Sequence, residues 1–89
     1  MGMVIIRSKV KNYTTWRSIF DTRESQRAAA GLTNTRVFRS TDDMNEIVVV
    51  FDSKDMKMAK DFAASADLKE AMMKSGVIDT PTAYFLEPA

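Results

Sequence analysis

Four β-branched residues and a phenylalanine follow one another from Ile47 to Phe51, and this run restricts the possible folds more than any other segment. Such residues favour a β-strand. Successive side chains of a strand point to opposite faces of its sheet, so Val48 and Val50 face away from the other three. Both faces of the sheet that contains this strand must therefore be shielded from water.

The chain before this run predicts a strand, a helix and a second strand. Residues 3–10 begin with β-branched residues and then alternate between polar and apolar, which is typical of a strand. Asn12 is a good helix N-cap, and apolar residues recur behind it at helical spacing until a C-cap glycine, Gly31. Residues 33–40 alternate again and residues 41–45 favour a turn, so the run from Ile47 completes a hairpin.

The chain after this run predicts two helices and a closing strand. Ser53 or Asp55 can cap the first helix, and Ser65 can cap a shorter one that ends at Gly76. Residues 82–86 form the last strand. The order βαββαβ, with its last helical segment split, favours an α+β fold of the ferredoxin-like kind, with a four-stranded antiparallel sheet and helices on one face. We expect all 89 residues to form a single domain.

Helices on one face leave the other face of that sheet open, although the strands are apolar on both faces. The last strand repeats the pattern, since Ala83 and Phe85 oppose Tyr84 and Leu86. A second copy packed sheet to sheet across a two-fold axis would cover the open face, so we expect a homodimer that forms an α/β barrel. A monomer with an exposed apolar patch is the alternative.

Two residue types are absent from the chain, cysteine and histidine. Their absence removes thiolate catalysis, disulfides, the commonest general base and the usual ligands of zinc and haem iron. The acidic segment 42–46 lacks the spacing of a calcium loop and favours a solvated turn. We therefore expect no metal and no cofactor, and no catalytic residue is identified. The apolar start is too short for a signal peptide or a membrane span, so we expect a cytoplasmic protein without membrane contact.

Charge is distributed unevenly along the chain, although the net charge is only +1. Residues 1–40 carry eight basic and two acidic side chains, whereas residues 41–89 carry five basic and ten acidic ones. Nucleic-acid-binding domains normally have a large basic excess, which is missing here. We expect no nucleic-acid partner, and we expect the two halves to form ion pairs within or between chains.

Five segments of the chain together carry a resemblance to a known family: Val10–Trp16, Phe20–Asp21, Arg27–Gly31, Thr35–Arg39 and Glu70–Val77. They resemble the small bacterial "cyclase" or antibiotic-biosynthesis-monooxygenase-like proteins of the dimeric α/β-barrel superfamily. The resemblance covers nearly the whole chain and implies ferredoxin-like sheets that pair into a barrel. In close relatives histidine often stands at the position of Arg23, so the chain departs from the family there.

The resemblance leaves two functions open. The superfamily includes cofactor-independent monooxygenases that act on phenolic polyketides, haem-degrading enzymes and domains without known activity. One hypothesis is a cofactor-independent monooxygenase or cyclase-like enzyme for a small aromatic or polyketide-like substrate. The other is a non-catalytic dimer that binds a small acidic ligand or a protein. The enzyme needs an electron-rich substrate anion, which arginine charge would stabilise in the absence of histidine.

We expect the ligand to bind between the first helix and the sheet. On a helical wheel, Arg23 and Arg27 fall in the same arc as the apolar stripe. Either they reach solvent or acidic residues of the second half, or they bind the carboxylate or phenolate of a ligand. The other expected substrate-binding residues are the aromatic side chains Tyr13, Trp16, Phe38 and Tyr84 and the polar side chains Asn12 and Arg36.

Overall fold

The structure is a computed structural model, and it describes residues 2–89. The predicted strands and both predicted C-terminal helices are present, and the first helical region is also divided. The elements, in chain order, are β1 (Gly2–Lys9), α1 (Tyr13–Thr22), α2 (Glu24–Ala29), β2 (Leu32–Arg39), β3 (Glu46–Ser53), α3 (Met56–Ala63), α4 (Ala66–Lys74) and β4 (Thr82–Leu86).

The four strands form one antiparallel sheet in the order β2-β3-β1-β4. This order confirms the ferredoxin-like α+β fold and places the two apolar strands, β1 and β3, in the centre. Ile5 pairs with Val50 on one side and with Tyr84 on the other, which fixes the register of three strands. A bulge between Thr33 and Arg36 interrupts the edge strand β2.

The helix-facing side of the sheet forms the core. Ile47, Val49 and Phe51 are all at most 5% exposed, and Val4 of β1 is buried beside them. Trp16 of α1 packs against the same cluster. The structure therefore decides which of the two alternating sets of β3 belongs to the core.

The other side of the sheet is apolar at its centre and is not covered by the described residues. Val48 and Val50 are half-buried there. Phe38 and Tyr84 are each 53% exposed, and Leu86 is 43% exposed. We call the surface formed by these five side chains and Ile5 the open face.

Polar side chains begin three of the helices. The side-chain oxygen of Asn12 accepts a hydrogen bond from the Thr15 backbone N–H at 3.1 Å, and Ser65 caps α4 by accepting from the Leu68 N–H at 3.2 Å. Of the two candidates for α3, Asp55 is the cap. Ser53 instead lies buried at the end of β3.

The expected continuous first helix is wrong, because it breaks at Arg23. The Arg23 backbone has φ −106° and ψ 17°, and its N–H donates to the Phe20 carbonyl, three residues back. The Thr22 hydroxyl also donates to the Ile19 carbonyl at 2.7 Å. Such back-bonding bends helices, and a residue outside the α region ends the regular ladder of hydrogen bonds. The apolar periodicity continues across the break and therefore did not reveal it.

Ion pairs join the basic first half of the chain to its acidic second half. Arg7 lies 2.6 Å from Glu46 and 2.7 Å from Asp79. The Lys9 backbone N–H also donates to Asp79, and this bond, with the Arg7 guanidinium, lowers the pKa of the Asp79 carboxyl. These contacts tie the segment before β4 to the end of β1. No helix within residues 2–89 is long and apolar enough to cross a membrane.

Candidate functional site

A cavity of about 70 Å³ lies between the helix-facing side of the sheet and the helices. The strands β1 and β3 supply its floor, α1 and α2 one wall, and α3 and α4 the other. Apolar side chains form most of its surface. They include Ile6, Val49, Phe51, Trp16, Ile19, Phe20, Phe62, Leu68, Ala71, Met72 and Val77.

Two stacked aromatic side chains form the α1 wall of the cavity. Trp16 and Phe20 are one helical turn apart, so they lie on the same face of α1. Their ring centroids are 4.7 Å apart and their planes differ by 23°. Trp16 is only 6% exposed, so its indole reports on the interior of the protein. This wall suits a flat aromatic ligand, since aromatic rings pair well in offset stacks.

Arg27 of α2 brings a positive charge to this apolar cavity. It is 7% exposed, and its guanidinium carbon lies 3.8 Å from the centroid of the Phe20 ring. Its Nη1 donates to the Phe20 carbonyl at 2.7 Å, whereas its buried Nε has no hydrogen-bond partner within residues 2–89.

No carboxylate of the described residues forms an ion pair with Arg27. Burial lowers the pKa of Arg27. The carboxylates of Glu24 and Asp21 act in the opposite direction, but both lie beyond ion-pair distance. An arginine nevertheless stays protonated in proteins. A buried charge without a counter-ion is costly, so an anion in the cavity would relieve an existing electrostatic penalty.

Arg23 lines the same cavity in a different electrostatic state. Its Nη2 donates to the Asp67 carboxylate at 2.6 Å, so this arginine has the acidic partner from the second half that Arg27 lacks. Its Nε is also buried and has no partner among the described residues. The first of the two alternatives that the sequence left open, a pair with an acidic residue of the second half, therefore occurs at Arg23 and not at Arg27.

The remaining polar side chains of the cavity are hydroxyls. Ser8 and Ser75 contribute to the lining, and the Ser75 hydroxyl already donates to the Met72 carbonyl at 2.9 Å. Within residues 2–89, neither a carboxylate nor a tyrosine lines the cavity. The same residues contain no group of three carboxylates close enough to hold a metal ion. The described lining offers the Arg27 guanidinium to an anion, and it contains no side chain suited to accept a proton.

A groove of about 270 Å³ lies outside the cavity, between α1 and α4. Thr22, Asp67, Glu70 and Lys74 give it a polar lining. Arg23 lines both spaces, and so do its two apolar neighbours Ile19 and Ala71.

Comparisons with known proteins identify the fold. No protein-family model matches the sequence, and no curated protein matches it at a significant level. Solved structures match over nearly the full length. A "putative antibiotic biosynthesis monooxygenase" from Bordetella bronchiseptica aligns with a TM-score of 0.79 and 16% identity over 99% of this chain and 96% of that chain. The chain has the antibiotic biosynthesis monooxygenase-like fold.

A second neighbour with this monooxygenase-like fold is described as an enzyme. SnoaB from Streptomyces nogalater, a cofactor-independent oxygenase, aligns with a TM-score of 0.75 and 14% identity over 99% of this chain and 92% of that chain. A further "putative antibiotic biosynthesis monooxygenase", from Nitrosomonas europaea, aligns with a TM-score of 0.71 and 16% identity over 99% and 98% of the two chains. The ferredoxin-like fold of the single chain that the resemblance implied is confirmed, while identities this low transfer no residue roles.

Three of the eight expected substrate-binding residues lie outside the cavity of this monooxygenase-like fold because they occupy the open face. Phe38 of β2 is paired with Val48 of β3, and Tyr84 of β4 is paired with Ile5 of β1, so both side chains lie on the open face. Arg36 lies on that face of β2 and forms an ion pair with Asp52 at 3.0 Å. The sheet separates these side chains from the helices, so the expectation of a common pocket is wrong for them.

Two more of the expected residues support the cavity from outside. Asn12 is exposed, and its side chain is engaged as the cap of α1. Tyr13 packs 5.9 Å from Trp16, accepts a hydrogen bond from Arg17 and lies under the guanidinium of Arg39 at 4.0 Å. The cavity therefore unites only Trp16, Arg23 and Arg27 of the predicted set.

Sequence reasoning missed the lining that comes from the second helical pair. Phe62, Leu68 and Met72 line the cavity from α3 and α4, and none of them was among the expected substrate-binding residues. Their helical spacing showed that they face the sheet, but a cavity differs from a filled core only in how the side chains meet.

Proposed function

We propose that this protein is a cofactor-independent monooxygenase-like enzyme that binds a small, flat, phenolic substrate in the cavity between helices and sheet. The observation that carries the proposal is the buried guanidinium of Arg27, without a carboxylate partner, beside the stacked rings of Trp16 and Phe20. The fold shared with SnoaB, a cofactor-independent oxygenase, supports the same class of chemistry.

The oxidation of a phenol to a quinone needs no external reductant. One molecule of dioxygen supplies the new quinone oxygen and leaves its second atom as water, and the substrate provides all the electrons. Electron transfer to dioxygen is easier from a phenolate than from a neutral phenol. Arg27 would hold the phenolate oxygen in a largely apolar setting, where a charged hydrogen bond is stronger than in water.

The protonation state of the substrate matters because no base lines the cavity among the described residues. We infer that the protein takes the substrate already ionised. The rate should therefore rise with pH as the substrate itself ionises, with no second inflection from a histidine, since the chain has none.

A non-catalytic binding protein is the second candidate, and one observation favours it. The cavity of about 70 Å³ is far below the several hundred Å³ of typical ligand sites, and it contains no acid or base. A dimer that only captures a small acidic metabolite needs nothing more than Arg27 and the aromatic wall.

Oxygen uptake separates the two candidates. The purified protein is incubated with a panel of phenols and hydroquinones, and dioxygen consumption is followed with an electrode while products are identified by mass spectrometry. If the protein is an enzyme, at least one substrate should show dioxygen uptake that depends on the protein and should yield one quinone per dioxygen. Binding in native mass spectrometry without oxygen uptake favours the binding protein. The absence of both binding and oxygen uptake contradicts both candidates.

We also propose that two copies associate through the open face. Its central side chains, Ile5, Val48 and Val50, are apolar and are only half-buried in one copy. An identical face related by a two-fold axis would bury both sheets at once, which is the arrangement that the sequence resemblance implied.

A further inference from the structure

Three side chains form the partition between the cavity and the α1–α4 groove. Ile19, Arg23 and Ala71 line both spaces, and only Arg23 is long and charged. Moving this one side chain would connect a space of about 70 Å³ to one of about 270 Å³. The size of ligand that the protein accepts therefore depends on where Arg23 lies.

Arg23 has one engaged end and one unsatisfied end. Its Nη2 donates to Asp67 at 2.6 Å on the groove side, whereas its buried Nε has no partner within residues 2–89. The side chain of Arg23 is 19% exposed and that of Asp67 is 73% exposed. The guanidinium thus already offers one free donor in the interior.

The contact that holds Arg23 in place is easily exchanged. Asp67 is largely in water, so breaking the pair returns a well-solvated carboxylate, and exposed ion pairs contribute little stability. Asp67 also lies in the first turn of α4, where the helix dipole stabilises a negative charge without the arginine. Arg23 itself lies at the break between α1 and α2. Its backbone N–H donates to the Phe20 carbonyl, three residues back, so a movement at Arg23 breaks no regular α-helical hydrogen bond made by this N–H.

We propose that Arg23 and Asp67 form a gate at which Arg23 exchanges the Asp67 carboxylate for the anionic group of an entering ligand. The substrate class that follows from this gate rests on the proposed function. The ligand is an elongated amphipathic anion whose aromatic ring occupies the cavity. Its more polar end lies in the groove beside Thr22, Glu70 and Lys74.

The only tryptophan of the chain makes the gate measurable without any ligand. Trp16 lines the cavity and is 6% exposed, so quenching of its fluorescence by neutral acrylamide reports access to the cavity. In Asp67→Asn the gate opens more often, and the quenching constant should rise about two- to fivefold, as expected for the loss of an exposed ion pair. The matched control is Glu70→Gln, which removes a carboxylate of the same groove that pairs with Lys74.

The control should quench like the wild type. Equal quenching of wild type and Asp67→Asn, or an equal rise in Asp67→Asn and Glu70→Gln, would overturn the gate.

A salt series gives a second measurement of the gate. Raising the ionic strength from about 0.01 M to about 1 M screens the pair, so quenching should increase in the wild type and stay constant in Asp67→Asn. Parallel salt curves for the two proteins contradict the proposal.

The substrate class is tested with 4-hydroxybenzoate and 4-hydroxycinnamate, which share a phenol and differ in length. Stopped-flow fluorescence of Trp16 gives their association rates. Asp67→Asn should accelerate both by the factor seen in quenching, and the longer anion should bind more tightly. Failure of both anions to bind contradicts the proposed function, whereas the acrylamide result still decides the gate.

Discussion

The environment of Arg27 shows how much of the site is encoded in local sequence. Helical geometry predicts that Arg23 and Arg27 share the face of Trp16, and the structure brings these three side chains to one cavity. Which arginine gains a counter-ion depends on Asp67, which is 44 residues away from Arg23. Contacts of that kind depend on the packing of α1 against α4, and no periodicity of either helix reveals them.

Replacing Arg27 by methionine separates binding from stability at the scale of one residue. Removing a buried charge that has no ion-pair partner should leave the melting temperature unchanged or raise it, because a hydrophobic side chain of similar length fits such a site. Affinity for 4-hydroxybenzoate, measured by calorimetry, should fall by about 2–3 kcal/mol, the scale of a lost charged hydrogen bond.

Arg17→Met is the matched control, since Arg17 contacts the same Phe20 ring from the exposed side of α1. It should leave the affinity for 4-hydroxybenzoate unchanged. If Arg27→Met loses several degrees of stability and binds the ligand normally, Arg27 is a structural residue and the proposed anion site is wrong.

At the scale of elements, the sequence predicts what short-range chemistry determines. The caps Asn12 and Ser65 and the strand at 82–86 were identified because a cap or a strand depends on a few neighbouring residues. The break at Arg23 was missed because the apolar stripe crosses it without a change of phase. Backbone geometry at that one residue, and not hydrophobicity, ends α1.

The cap of α1 offers a test of the corrected role of Asn12. Asn12→Ala should destabilise the protein by about 1 kcal/mol, because the Thr15 N–H loses its acceptor. For a domain of this size that loss lowers the melting temperature by about 4–8 °C. Ligand affinity should not change, since Asn12 lies outside the cavity. Thr14→Ala, an exposed substitution in the same helical turn, is the control and should melt like the wild type.

A lower affinity for 4-hydroxybenzoate in Asn12→Ala, with no change in melting temperature, would return Asn12 to the binding site. Calorimetry and thermal melting on the same samples distinguish the two roles. The result also tests whether α1 holds the aromatic wall rigidly, because Trp16 lies within one turn of the cap.

At the scale of the whole molecule, strand alternation predicted two apolar faces but not which set faces the helices. The answer needs the packing of the helices, which buries Val49 against Trp16, together with the strand register, in which Ile5 is opposite both Val50 and Tyr84. The same register explains why Phe38 and Tyr84 were wrongly placed in the pocket. Each is an aromatic side chain on a strand, and only the pairing of β2 with β3 and of β4 with β1 shows that both lie on the open face.

Placing a charge at the centre of each face gives the decisive test of assembly. Val50→Lys puts an ammonium on the open face, where it can reach water in a monomer but not between two packed sheets. By light scattering, the wild type should have twice the chain mass of 10.0 kDa and Val50→Lys should have the chain mass itself, while its circular dichroism stays native.

Val49→Lys buries the same charge in the core and should instead abolish the cooperative melt, because Val49 is 5% exposed. Val50→Thr, which keeps the branched shape without the charge, should remain dimeric. A wild type that is monomeric at about tens of micromolar, well above the dissociation constant of a stable dimer, would contradict the assembly through the open face.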